Sequence, residues 1–199
     1  MFSPLELLWA LIGLILTISA TWLEAFIPYA PWNWGDTGVQ IYSLGISFQV
    51  GAVLFTACVG GKNAATLAQI AYVALGLALF QVFELPIFTQ GGGLGYVREP
   101  SFGYLVGFIP AAWVCGALAF REAPKLETLA LSSVSGLGII HGCGLIYLAI
   151  AFLVGWLNTV GASLWTLVLM YSLAPLPGQL VVVCAVSVLA LVMRRILFY

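Results

Sequence analysis

The stretch TLALSSVSGLGIIHGCGLIYLAIAFLVGWLNTVGASLWTLVLMYSLAPLPGQLVVVCAVSVLALVM spans residues 128–193 and contains no Asp, Glu, Lys or Arg. Soluble domains carry charge at about a quarter of their positions, so an uncharged run of this length does not belong to a water-facing fold. A membrane-crossing helix needs about 20 apolar residues. The 66-residue run therefore holds two crossings and a connection, marked by Gly161, Pro175 and Pro177. A short surface or re-entrant helix around 162–172 is expected within that connection.

Toward the N-terminus the same punctuation repeats. Residues 7–23, 37–61, 63–83 and 100–120 form uncharged runs of 17, 25, 21 and 21 residues. The 199-residue chain is 63% hydrophobic and 7% charged, with a mean hydropathy of +1.13. These features predict an all-α integral membrane protein, one domain over residues 1–199, with six transmembrane helices. The expected spans are 5–27, 43–59, 64–83, 102–120, 129–156 and 179–197. No ten-residue polar–apolar alternation suggests a membrane barrel. The net charge of −1 offers no basic surface for nucleic acid. The first span lacks a basic start and carries Glu6, so it reads as a retained crossing and not a cleaved signal.

The turns are legible as well. Pro28–Gly35 reads as a loop with Trp and Tyr at headgroup level, Gly60-Gly61-Lys62-Asn63 as a tight turn with Asn63 as helix cap, and Arg121–Lys125 as a polar turn. With the N-terminus in the cytoplasm, Lys62, Arg121, Lys125, Arg194 and Arg195 all fall on the cytoplasmic side, and so does the C-terminus. Arg98 falls outside, within FTQGGGLGYVREPSFGYLVGF at residues 88–108. It is expected either to pair with Glu84, Glu99 or Asp36, or to meet an anionic solute.

Catalytic classes fail on their required parts. Ser135 and His141 are six residues apart, about 240° around one helix at 3.6 residues per turn, so they do not meet as nucleophile and base. His141 is the single histidine and reads as a buried neutral side chain bonded to a neighbouring helix. Cys58, Cys115, Cys143 and Cys184 lie inside spans with no CxxC pair and read as packing residues. Gly91-Gly92-Gly93-Leu94-Gly95 follows no strand, and Gly60-Gly61-Lys62-Asn63 lacks the phosphate-loop spacing. No catalytic residue, metal, cofactor or ATPase activity is expected. What remains is binding. The glycine run, the 157–178 connection and the Ser47–Gln49 stretch can reach one outer face. There Gln49, Tyr96, Arg98, Tyr104 and Gln179 would supply polar groups to an apolar, aromatic pocket.

Several of these segments carry a family resemblance. Gly93-Leu94-Gly95-Tyr96, followed by Pro100-Ser101-Phe102-Gly103-Tyr104-Leu105 and Gly107-Phe108, resembles the pattern G-x-G-x-x-x-G-P-T-x-G-Y-L-x-G-F. Ile46-Ser47-Phe48-Gln49 resembles I-T-L-Q-T, and Leu85-Pro86-Ile87-Phe88 resembles L-P-V-F. Gly144-Leu145-Ile146-Tyr147-Leu148-Ala149 is similar to G-x-x-W-L-A, and Pro175-Leu176-Pro177-Gly178 to P-F-x-P-G. These elements belong, in this order, to BioY, the biotin-binding S-component of energy-coupling factor (ECF) transporters. The resemblance covers residues 44–197.

The resemblance implies a six-helix S-component fold in a bacterial-type cell membrane. It implies biotin as ligand, and a transmembrane coupling protein with two cytoplasmic ATPases as partners. It places Gln49, Gly93, Gly95, Tyr96 and Tyr104 at the ligand, with Gln179 at the family's Asp position. Arg98 stands where the family is often apolar and Glu99 where it has Gly, so polar recognition is expected to have moved from the last helix to this loop. A Gln amide offers both donor and acceptor to a ureido group, and Arg98 would hold the carboxylate. Glu99 would hold Arg98 or favour a helix starting at Pro100. Ala10, Gly13 and Thr17 would form the small face that docks the coupling protein. The family's Asp after the Pro-Gly turn is Gln179 here, and its Lys three residues later is Val182. Losing both charges together avoids a stranded buried ion. Two other classes stay open on sequence alone: an S-component for another small anionic metabolite, and a membrane subunit that does not transport.

Overall fold

The structure, a computed structural model, describes residues 3–28, 41–83, 85–89, 91–157 and 161–197. It is mainly helical, and five of its helical runs are long and apolar enough to cross a bilayer. Helix α1 (Pro4–Thr21) starts on a reciprocal cap. Ser3 Oγ accepts from the Glu6 N–H while the Glu6 carboxylate accepts from the Ser3 N–H, with Pro4 in the first turn. Glu6 also accepts from Asn63 Nδ2 at 2.7 Å, so Asn63 ties two elements together where the sequence suggested a helix cap.

The first two expected spans need correction. Helix α1 ends at Thr21, and strand β1 (Glu24–Pro28) pairs antiparallel with β2 (Ile41–Ser47). The expected helix at 43–59 begins only at Gln49. Eighteen helical residues already rise about 27 Å, close to the ~30 Å hydrocarbon thickness. Most of the apolar residues of the two strands, Phe26, Ile27, Ile41, Tyr42 and Ile46, are aromatic or β-branched types that suit strands. Hydropathy alone does not separate the two outcomes. Residues 29–35 of the expected loop, and Asp36, lie outside the described residues.

Helix α2 (Gln49–Phe83) contains one non-helical residue, Gly61, at φ 82° and ψ 171°. Positive φ is the conformation glycine adopts without steric cost. The break falls between the expected spans 43–59 and 64–83. Helix α3 (Phe102–Ala119) passes close by: a Cβ on Gly116 would stand 2.5 Å from the Lys62 backbone nitrogen. Helix α3 starts two residues after Pro100, with Ser101 at its cap position. Helix α4 (Leu126–Leu153) starts three residues before the expected 129 and ends ahead of Gly155, at φ 80°.

The last uncharged run resolves into helix α5 (Leu164–Val168), a π turn (Leu169–Leu173) and helix α6 (Leu176–Leu197). The expected short helix at 162–172 is there. The prolines do not break the path, because the Ala174 N–H reaches back five residues to Leu169 O at 2.8 Å. Widening of this kind accommodates the N–H that Pro175 lacks.

Helix α1 packs on α2, α2 on α3 and α3 on α4, and α6 closes against α2 and α4. The α1 small face points into this bundle. Ala10, Gly13 and Thr17 are buried, and a Cβ on Gly13 would stand 2.4 Å from Thr56 Cγ2 of α2. The sequence-based docking face is therefore an internal seam. Helices α3 and α4 approach through glycine: a Cβ on Gly103 would meet Tyr147, and one on Gly144 would meet the Tyr104 ring.

Candidate functional site

At one end of the bundle, the start of α2, the loop before α3, the first turns of α3 and the π turn enclose a cavity of about 280 Å³. That is near the lower limit of the ~300–1,000 Å³ typical of small-ligand pockets. Ile46, Leu105, Phe108, Ile140 and Met170 give it apolar walls, Tyr96, Tyr104 and Tyr171 give it rings, and Gln49 and Gln179 give it amides. A second cleft, of about 400 Å³, lies by Glu6, Gly61, Lys62 and Phe120. Its polar groups are already engaged, since Glu6 holds Asn63 and Lys62 Nζ stands over the Trp113 ring.

The two amides reach the first cavity from neighbouring helices, α2 and α6, each with one end tied back. Gln49 Nε2 donates to Tyr72 Oη at 2.7 Å, and Tyr72 Oη lies 3.2 Å from Thr21 Oγ1. That leaves Gln49 Oε1 as the atom free to accept from a ligand. Gln179 Oε1 lies 2.7 Å from His141 Nε2. In this amide orientation the oxygen accepts from Nε2–H and the Gln179 amino group is left to donate; with the amide turned over the two roles exchange. Behind it, His141 Nδ1 lies 3.2 Å from Ser172 Oγ, which lies 2.6 Å from Tyr104 Oη.

The aromatic side chains form two groups. Tyr96 packs against Phe88 at 4.7 Å between centroids and edge-on to Phe102 at 6.5 Å, with its hydroxyl 3.0 Å from Ser101 Oγ. Burial pushes the Tyr96 phenol above its usual range, opposed by the Ser101 hydroxyl. Tyr104 stacks on Tyr171 at 6.2 Å and meets the His141 ring edge-on at 5.8 Å. The site thus offers an apolar, tyrosine-lined cavity with amide groups from two neighbouring helices, suited to a small ring bearing an amide or urea.

The structure brings Gln49, Tyr96, Tyr104 and Gln179 together on this cavity and leaves Gly93, Gly95 and Arg98 off its lining. The glycine run serves close approach to α2. The Gly93 N–H donates to Gly76 O at 3.1 Å, and a Cβ on Gly92 would stand 2.6 Å from that same oxygen. Gly95 faces open space. Arg98 ends the 3₁₀ turn Leu94–Arg98 with an exposed side chain, and Glu84 lies outside the described residues. Glu99 is extended at ψ 142° and makes a turn with Phe102 through its backbone carbonyl.

Sequence reasoning placed His141 as a buried residue bonded to a neighbour, which the structure shows, but gave it no part in the site. Ser172 and Tyr72 were not singled out at all. Ser172 precedes the Pro175–Pro177 turn and Tyr72 sits amid alanines, so each is a polar atom in an apolar run that needs a buried partner. The Ser172–His141 contact has the form of a nucleophile–base pair. Yet Ser172 is 2% exposed, does not line the cavity, and holds Tyr104.

Comparison with known proteins supplies the lineage. The sequence profile of the BioY family matches residues 5–198. An uncharacterised 21.2 kDa protein of Cyanophora paradoxa is 34% identical over 193 residues, covering 96% of this chain and 95% of that protein. A protein of Lysinibacillus sphaericus described as a probable biotin transporter BioY is 40% identical over 114 residues, covering 56% of this chain and 55% of that one. The crystal structure of the S-component for biotin from an ECF-type ABC transporter superposes with a TM-score of 0.67 at 18% identity. The match covers 96% of this chain and 90% of that one, and shows a shared fold. With a profile match over nearly its whole length, this chain belongs to the BioY family.

Proposed function

We propose that this chain is the biotin-binding membrane subunit of an energy-coupling uptake system. The observation that carries the reading is the pair of half-tied amides on one aromatic cavity. Gln49 offers an acceptor and Gln179 a donor, the complement of a ureido N–H and carbonyl. Met170 and the tyrosines suit the thioether-bearing ring. Arg98, exposed two residues beyond Tyr96, is the cation assigned to the ligand's carboxylate in this reading.

The 35 residues of α2 divide at the non-helical Gly61 and exceed what one bilayer crossing needs, so α2 is read as two crossings on either side of Gly61. That makes six spans, with both termini in the cytoplasm and the amide cavity on the outer side of a cell membrane. The chain catalyses nothing itself. A transmembrane coupling protein and two cytoplasmic ATPases supply the energy, and docking uses a face other than Ala10–Gly13–Thr17. Calorimetry of the purified chain with biotin should give saturable, one-to-one binding without ATP hydrolysis. Absence of heat at millimolar biotin would reject the ligand.

A further inference from the structure

We infer that His141 is a positioning residue that forces Gln179 and Tyr104 into opposite hydrogen-bonding roles, so that the cavity meets its ligand with one donor and one acceptor. The inference rests on the biotin reading above and adds the residue that sets its selectivity. His141 does not line the cavity, whereas Gln179 and Tyr104 do. The chain of contacts runs Gln179 Oε1–His141 Nε2 at 2.7 Å, His141 Nδ1–Ser172 Oγ at 3.2 Å and Ser172 Oγ–Tyr104 Oη at 2.6 Å.

A neutral imidazole carries one proton, so one ring nitrogen donates and the other accepts. With Gln179 Oε1 on the ring, Nε2 donates and Nδ1 accepts from the Ser172 hydroxyl. Ser172 Oγ then accepts from Tyr104. The cavity sees the Gln179 amino group as donor and the Tyr104 oxygen as acceptor. Turning the Gln179 amide over reverses every bond in the chain. The cavity then sees an amide oxygen as acceptor and the Tyr104 O–H as donor. An all-acceptor or all-donor site would leave a hydroxyl or ring nitrogen unpaired behind the wall. His141 is 7% and Ser172 2% exposed, so that defect carries the full desolvation penalty of a buried polar group.

A cyclic urea presents a carbonyl acceptor beside N–H donors and satisfies either arrangement. Its guanidinium counterpart presents N–H groups only and satisfies one arm. The test compares biotin with 2-iminobiotin, the guanidine analogue that is protonated at pH 7, by calorimetry on purified wild-type, His141→Leu and Ser172→Ala proteins. Wild type should prefer biotin by at least about tenfold, the weight of one buried polar mismatch. In His141→Leu the Gln179 amide turns freely and that preference should shrink severalfold. Ser172→Ala keeps the His141–Gln179 contact but cuts Tyr104 loose, and should also narrow the preference; it carries the test alone if His141→Leu does not fold. Equal weakening toward both ligands in His141→Leu would reduce His141 to packing and overturn the inference. An unchanged preference in Ser172→Ala would overturn the coupling between the two arms. Wild type that binds no biotin would reject the functional reading and the inference with it, whereas biotin binding with unaltered preference in the variants rejects the inference alone.

Discussion

Tyr104 occupies the space that a side chain at Gly144 would fill. A Cβ there would stand 2.3 Å from the nearest ring carbon. Gly144→Ala must push the ring off its stack with Tyr171 and its bond to Ser172. We expect a loss of about 1–3 kcal/mol in stability from overpacking, read by thermal denaturation in detergent, together with weaker biotin binding. An unshifted melting temperature would mean that the ring has free room. Arg98 makes a different demand. Arg98→Ala should weaken biotin by about 1.5–3 kcal/mol, the worth of a hydrogen bond to a charged group, and leave biotin methyl ester unaffected. Equal losses for acid and ester would make Arg98 structural. The sequence exposed Gln49, Tyr96, Tyr104 and Gln179 as polar groups in apolar surroundings, and they do gather. It did not expose the layer behind them. Ser172 and His141 are 31 residues apart, and only tertiary packing decides that they touch. The glycines at 91–93 misled for a related reason, since close approach to α2 and close approach to a ligand demand the same residue.

Among the described helical residues, Gly61 is the one position where backbone conformation dictates the residue inside a long element. Its φ of 82° lies in the left-handed region, and a Cβ would meet Phe120 only at 3.7 Å. At ψ 171° the residue is in a conformation adopted almost only by glycine, so Gly61→Ala should cost about 1–3 kcal/mol through backbone strain alone. A thermal melt of that variant matching wild type would show that the break at Gly61 is not held in this conformation. Element boundaries were legible wherever charge or Gly and Pro punctuate the chain: α3 and α6 end within a residue of expectation and α4 starts within three. The β1–β2 ribbon was not legible. Short apolar runs beside a span read the same whether they extend a helix or pair as strands, and 18 residues of α1 had already used the length a crossing requires.

For the whole molecule, charge asymmetry makes the remaining prediction. Lys62, Arg121, Lys125 and Arg195 fall on the side assigned to the cytoplasm. A reporter fused after residue 199 should be active only if it works in the cytoplasm, and one inserted in the 29–34 loop only if it works outside. An outside signal from the C-terminal fusion would overturn the six-span reading. The bundle that results is held by seams of small residues: α1 on α2 through Gly13, and α3 on α4 through Gly103 and Gly144. Its outer surface is left to leucine, isoleucine and tryptophan, as lipid contact requires.

Arg194 gives this architecture an order in time. Its Nη1 donates to the carbonyl of Ala119 at 2.6 Å, at the end of α3, and its guanidinium stands 4.0 Å over the Phe120 ring. A helix end with bare carbonyls is completed by a cation, yet this one is supplied from 75 residues downstream. At about 5–20 residues per second, a ribosome takes roughly 4–15 s to make that much chain. During that interval the Ala119 carbonyl lacks its Arg194 donor, while the Gly116 and Leu118 carbonyls already accept from the Phe120 and Arg121 N–H groups. The half-made protein thus differs from the finished one at a defined spot, the Ala119 carbonyl at the end of α3.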